Sequence, residues 1–303
     1  MRKTFHCAAL IIIITFVFHC TGCAVGARLT CDLPKSTFAL GEYITAVVTL
    51  TNAGDQDYKF RHLNTESGYL SLRIRNSKGE LLSYHGGIGQ LLDEPPDQVL
   101  PQNVLKPGEA GSAFVEITWD YANFSDHANP FSHGFQMELQ PDTYVLQAVW
   151  SNSYSFCHDT LQSNTLTFRV IAPPDSELNA YNSMKEMTNG ILKGKETIGE
   201  IDSLKKFLHD YPTSLYAPYA KRALAGVYGG LSRLEEEKNL IWEIITDYPE
   251  SSYALDATFG NGLSEGDELE LMKRIIPAVP GTFVGKYAKN RALELTKKLN
   301  GKQ

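Results

Sequence analysis

From Arg28 to Val170 apolar and polar residues alternate in short runs divided by turn residues. Ile44, Ala46, Val48 and Leu50 alternate with Thr45, Thr49 and Thr51 until Asn52-Ala53-Gly54-Asp55 ends the run. Leu70, Leu72 and Ile74 alternate with Ser71, Arg73 and Arg75 ahead of Asn76-Ser77-Lys78-Gly79. Tyr144, Leu146, Ala148 and Trp150 make a third run, and Leu166, Phe168 and Val170 a fourth. A period of two places the apolar set on one face of a strand. Strands of this kind, separated by turns, predict an antiparallel β-sandwich over residues 23–172.

Ile171-Ala172-Pro173-Pro174-Asp175 breaks the pattern. Paired prolines stiffen a linker, and Asp175 or Ser176 can cap a helix, so residues 173–176 are predicted to join the sandwich to a helical region over 177–303. That region contains an internal repeat. Tyr211-Pro212-Thr213-Ser214-Leu215-Tyr216-Ala217 recurs as Tyr248-Pro249-Glu250-Ser251-Ser252-Tyr253-Ala254, and Asp210 and Ala220 recur as Asp247 and Ala257 in the same register. Leu204, Phe207 and Leu208 map onto Ile241, Ile244 and Ile245. Pro280, Thr282, Tyr287 and Ala288 form a fainter third copy. A period in the mid-thirties predicts stacked helical hairpins. Proline disfavours helical geometry in the residue before it, so each Tyr-Pro ends a helix, and the Ser or Thr two residues on starts the next.

These residues resemble known modules. Phe38-Ala39-Leu40-Gly41-Glu42, Leu105-Lys106-Pro107-Gly108-Glu109 and Leu139-Gln140-Pro141-Asp142-Thr143-Tyr144 resemble the turn-and-strand cues of bacterial immunoglobulin-like domains. The repeat over roughly 176–299 resembles tetratricopeptide repeats of bacterial envelope lipoproteins, such as those of β-barrel assembly and of the Tol system. That resemblance implies a solenoid binding a protein or peptide on its concave face.

Arg2 and Lys3 precede an apolar run from Ala8 to Phe18, followed by small residues at Thr21, Gly22, Cys23 and Ala24. The run is shorter than the roughly 20 residues of a membrane-crossing helix and fits a signal peptide over 1–22. Thr21-Gly22-Cys23 resembles the end of a bacterial lipobox, although Cys20 stands where that motif usually has Leu. The resemblance implies a lipid anchor on Cys23 and, with Ala24 rather than aspartate following it, an outer-membrane address facing the periplasm. Val25-Gly26-Ala27 offers an ordinary signal-peptidase site instead, which would leave a soluble periplasmic chain.

Export alters the reading of the cysteines. Cys7 and Cys20 depart with the signal and Cys23 takes lipid, leaving Cys31 and Cys157 as an even pair in an oxidising compartment. A disulfide between them and two separate thiols both remain open. The formal charge is −7, and no Lys or Arg occurs between Lys106 and Arg169. Nucleic-acid partners, which need a basic face, are excluded.

No reaction emerges. Gly190-Ile191-Leu192-Lys193-Gly194-Lys195-Glu196-Thr197 has one residue too few between its glycines for a phosphate loop. Gly262-Leu263-Ser264-Glu265-Gly266 has the spacing of a nucleophile elbow but follows a repeat helix, not a strand, and reads as a turn. Cys157-His158-Asp159 is adjacent in sequence only, which does not make a reactive thiol. From Trp119 to Phe135 aromatic, acidic and imidazole side chains crowd together. Trp119, Tyr121, Phe124, His127 and His133 are the candidate ligand surface, suited to sugar, and their spacing is not diagnostic of a metal.

The expectation is therefore a non-enzymatic envelope lipoprotein, without cofactor or metal, scaffolding a protein or peptide partner through its repeats. A carbohydrate or cell-wall binding protein using loop 119–135 is the alternative. Expressed with its own signal, the chain is expected to carry a diacylglyceryl mass and pellet with membranes, while Cys23→Ala stays soluble. Intact-mass analysis with fractionation checks this, and a mature chain beginning at Arg28 would refute the anchor.

Overall fold

The computed structural model describes residues 26–60, 62–65, 68–84, 103–121, 139–152, 159–191, 197–258 and 264–300. Strands β1 (Ala27–Asp32), β3 (Thr45–Asn52) and β7 (Ala110–Glu116) form one sheet, in the order β1-β3-β7. Strands β2 (Thr37–Ala39), β9 (Asp159–Ile171), β8 (Asp142–Asn152) and β5 (Leu70–Arg75) form a second, in the order β2-β9-β8-β5. A small ribbon pairs β4 (Tyr58–Phe60) with β6 (Asn103–Leu105), and a short helix α1 (Ile117–Tyr121) follows β7. One pairing departs from the antiparallel expectation: β2 runs parallel to β9, because the chain crosses from one sheet to the other between Asp32 and Thr37.

The alternation read from sequence sorts side chains as predicted. Leu29, Val48, Leu50 and Val115 of the first sheet and Leu72, Ile74, Leu146, Trp150 and Phe168 of the second share one core. Trp150 is fully enclosed, and its Nε1 donates to the His62 carbonyl at 2.9 Å. A register shift between β8 and β9 at Gln147/Val149 places Ser163 and Asn164 opposite Ala148. This is a bulge that re-aims a side chain. Asn164 Oδ1 accepts from the Cys31 N–H at 2.9 Å and its Nδ2 donates to the Cys31 carbonyl at 3.0 Å. A side-chain amide thus stitches the two sheets together where no strand pairs with β1 on that side.

Helices fill the C-terminal region: α2 (Leu178–Ile191), α3 (Thr197–Asp210), α4 (Ala217–Gly230), α5 (Leu234–Asp247), α6 (Ser252–Asp256), α7 (Glu265–Ala278) and α8 (Phe283–Asn300). Helices α3, α5 and α7 end just before Tyr211-Pro212, Tyr248-Pro249 and Val279-Pro280. In each copy a hydroxyl then accepts a backbone N–H: Ser214 from Tyr216, Ser251 from Tyr253, and Thr282 from Gly285. Each helix from α2 to α6 packs on the next, and α7 packs on α8. Tyr248 also reaches across copies, its hydroxyl donating to the Pro212 carbonyl at 3.0 Å. Neither Asp175 nor Ser176 caps α2. Glu177 instead accepts from Ser214 Oγ at 2.5 Å and from the Leu215 N–H at 3.2 Å, fastening the start of the helical region to the first Tyr-Pro turn.

The helices lie on the outer face of the first sheet. On β3, Ala46, Val48 and Leu50 face the inter-sheet core, yet Thr45 and Val47 on the opposite side are also buried. Val47 belongs to the same apolar cluster as Ile241, Met272, Val284 and Tyr287, with Phe114 of β7 packed against it. On the second sheet the corresponding face is open, and Val145 is 39% exposed.

That contrast is testable. Val47→Asp is expected to cost about 3 kcal/mol or more, since it puts a carboxylate under the helices, while Val145→Asp stays within about 0.5 kcal/mol of wild type. Urea denaturation of the two variants measures both values, and equal tolerance would mean that the helices do not cover β3.

Candidate functional site

Each Tyr-Pro turn delivers an aromatic ring to the junction between sheet and helices. The Tyr216 hydroxyl donates to the Leu40 carbonyl at 2.7 Å. Tyr253, its counterpart in the second copy, stacks on Tyr43 with centroids 4.9 Å apart. Tyr287, on α8, meets Phe114 edge-on at 5.1 Å. Between these rings the Thr45 N–H donates to Ser252 Oγ at 3.1 Å.

The middle of the junction is polar. Tyr219 stands edge-on to Tyr253 at 5.7 Å. Arg222 Nε donates to Asp256 at 2.6 Å. Burial holds the Tyr43 and Tyr253 phenols well above their ordinary range; Glu116 and Asp256 push the same way at both, and Tyr219 adds to the shift at Tyr253. Tyr219 is pushed up to about 12 by burial and by Glu200.

Beside this cluster a cleft of about 350 Å³ opens between the outer face of the first sheet and α8. Its floor is Val47, Thr49 and Ser112, and the two hydroxyls pair with one another at 3.0 Å. One wall is Asp32, the last residue of β1, with Leu33 and Pro34; the other is Glu250 with Phe283, Lys286, Tyr287 and Asn290. Glu250 is occupied, because Oε1 accepts the Phe283 N–H at 3.2 Å and stabilises the positive end of the α8 dipole. Asp32, Lys286 and Asn290 are exposed, and among the described residues their side chains have no ion pair or hydrogen bond. The cleft therefore presents a carboxylate, an ammonium and an amide to whatever enters it.

The residues singled out by sequence fall differently. Tyr121 is not a ligand surface: it is 2% exposed, its ring meets Tyr84 edge-on at 5.3 Å, and its hydroxyl accepts the Leu72 N–H at 2.8 Å. An aromatic ring with one polar tip satisfies the edge strand β5 from inside the core. The side chain of Trp119, and the whole of Phe124, His127 and His133, lie outside the described residues, as do Cys23 and Cys157. Cys31 is a free thiol enclosed in the sheet core, pushed up to about 12, chiefly by burial. Ser264 is the N-cap of α7, bonded to Asp267 through its N–H at 3.2 Å and its carboxylate at 2.6 Å. Of the repeat residues, Ser214, Tyr216, Ala217 and Ala254 are buried, whereas Pro212 is exposed. Sequence does not mark Asp32, Lys286 or Asn290, because nothing short of the fold brings β1 to α8.

Among the described residues no helix is long and apolar enough to cross a membrane, and no three His, Cys, Asp or Glu side chains gather as metal ligands. No family model matches the chain, and no curated protein matches it. Among solved structures it is similar to Spo0M, a sporulation control protein from Bacillus subtilis, at 10% identity and a TM-score of 0.27, over 55% of this chain and 56% of that one. It is also similar to a β-glucosidase from Erythrobacter marinus at 14% identity and a TM-score of 0.24, over 48% of this chain and 15% of that one. The chain thus spans little more than half of the first protein and a small part of the second. At these scores neither likeness bears on its fold or activity.

The junction tyrosines carry a pH dependence. A phenol whose folded pKa is raised stabilises the fold fully below its unfolded value near 10, and the contribution is lost as pH climbs to about 12. Cys31 acts in the same direction from about 9 to about 12. The urea midpoint is expected to fall over this window, and to fall less in Tyr219→Phe; identical profiles would remove Tyr219 as a contributor.

Proposed function

We propose that this chain is a non-enzymatic cell-envelope lipoprotein that holds a partner protein by a peptide segment seated in the junction cleft. Its two halves are an immunoglobulin-like β-sandwich and a short array of tetratricopeptide-like hairpins. The sandwich reading is supported by Tyr144, which is 3% exposed and donates its hydroxyl to the Gln140 carbonyl four residues upstream at 2.7 Å, the bond of a tyrosine corner. The hairpin reading is supported by the Tyr-Pro stops and the hydroxyl that follows each of them.

The observation that carries the proposal is the cleft itself, built from both halves and offering Asp32, Lys286 and Asn290, whose side chains have no partner among the described residues. A peptide supplies what these groups lack: N–H or ammonium donors for Asp32, a carboxylate or carbonyl for Lys286, and a backbone amide for Asn290. The faces of α4, α6 and α8 expected to receive a partner in a free repeat array meet the β2–β3 connection and β7 through Tyr216, Tyr253 and Tyr287. Binding is therefore assigned to the rim of that contact, and not to a free concave face. The Thr49–Ser112 hydroxyls bond each other rather than a base, which favours holding over hydrolysis.

Photocross-linking in intact cells tests this. A probe at Lys286 or Asn290 is expected to trap one dominant partner that a probe at Leu234 does not. Asp32→Lys is expected to reduce that product about tenfold, the loss of one charge-assisted bond, with the melting temperature unchanged. Equal trapping from Leu234 would refute the site, and competition by a soluble cell-wall glycan but not by peptides would favour carbohydrate.

A further inference from the structure

At the end of the first sheet opposite the cleft, the chain is already fixed at Gly26. Its carbonyl accepts the Ala53 N–H, and Ala27 pairs with Asn52. Gly26 has φ +133°, and a Cβ placed there would stand 2.6 Å from the Gly54 Cα, so only glycine fits this close backbone approach. Asn52 organises the same end. Its N–H donates to the Glu109 carbonyl and its own carbonyl accepts from the Gly108 N–H, each at 2.8 Å, while Nδ2 donates to the Gln56 and Leu105 carbonyls, each at 2.7 Å. The last turns of α8 reach this end as well, with Lys297 Nζ 3.5 Å from Glu109.

Cleavage after Ala27 would remove two residues whose backbone is built into the sheet and would leave the Ala53 N–H without its partner. Cleavage before Cys23 leaves that end whole. It also leaves a tether of three Cα steps between Cys23 and Gly26, about 10–11 Å at full stretch. We infer that the mature chain starts at Cys23, and that the end formed by loop 53–57, turn 106–109 and the last turns of α8 lies on the lipid headgroup layer. This rests on the lipoprotein reading above.

A tether that short cannot let the body turn over. Strand β1 runs from Ala27 away from the anchor to Asp32, about 17 Å further on at strand rise, so the cleft, which Asp32 lines, lies on the side away from the bilayer. The charges at the anchored end are mixed, with Lys106 and Lys297 among Asp55, Asp57 and Glu109. The lipid chain therefore holds the contact, and attraction to anionic headgroups does not.

The test uses the full chain expressed with its own signal, lipidated, and reconstituted into phosphatidylethanolamine–phosphatidylglycerol vesicles carrying a headgroup quencher. In a Cys157→Ser background, where Cys31 is buried, a fluorophore is attached through Asp55→Cys, Lys106→Cys, Glu250→Cys or Lys286→Cys. Quenching at 55 and 106 is expected to exceed that at 250 and 286 several-fold, and the Cys23→Ala chain is expected not to float with vesicles of either charge. A lipidated chain quenched equally at all four positions overturns the orientation while leaving the anchor standing. A mature chain that begins at Arg28 without lipid overturns both.

Discussion

The architecture depends on one strand that is buried on both faces. β3 supplies Ala46, Val48 and Leu50 to the core between the sheets and, through Thr45 and Val47, a floor for the helices. Without the helices Val47 and Phe114 would sit in an exposed apolar patch, and without β7 and the β2–β3 connection the rings of Tyr216, Tyr253 and Tyr287 would have no seat. The proline-marked segment between the halves is thus not a spacer in mechanical terms. Its neighbour Glu177 bonds the first Tyr-Pro turn, and Leu40 packs against both the sheet core and the first helical cluster.

The elements were legible because their periods are strong. Strand alternation in β3, β5, β8 and β9, and the ends of α3, α5 and α7, follow directly from residue spacing. The docking was not legible, because Thr45, Thr49 and Thr51 read as a wet face and only Val47 breaks the alternation. Tyr121 misled for the opposite reason. Aromatic and acidic neighbours suggested a ligand loop, yet its ring fills the core and its hydroxyl satisfies a strand amide that no local pattern announces. The cleft is drawn from β1, β3, β7, the second Tyr-Pro turn and α8, and no window of sequence contains more than one of its walls.

Polar groups at the junction give the contact its specificity. Apolar surfaces alone would permit the helices to slide along the sheet. The Thr45–Ser252 and Tyr216–Leu40 hydrogen bonds each have a single geometry, and breaking either leaves a backbone group unpaired at a cost of about 1–3 kcal/mol. The buried phenols of Tyr43 and Tyr253 beside Glu116 and Asp256 impose the same restriction, since they are tolerated only while packed together.

Solenoids ordinarily grow or shrink by whole repeats, since each unit touches only its neighbours. Here successive helices also touch the β half, whose width is finite. Tyr216 and Tyr253 meet Leu40 and Tyr43 of the β2–β3 connection, and Tyr287 meets Phe114 of β7. An inserted repeat would carry Tyr287 past the strand that receives it, and a deleted one would leave Phe114 bare. The β half acts as a ruler for these helices, so their number cannot change without unseating a ring.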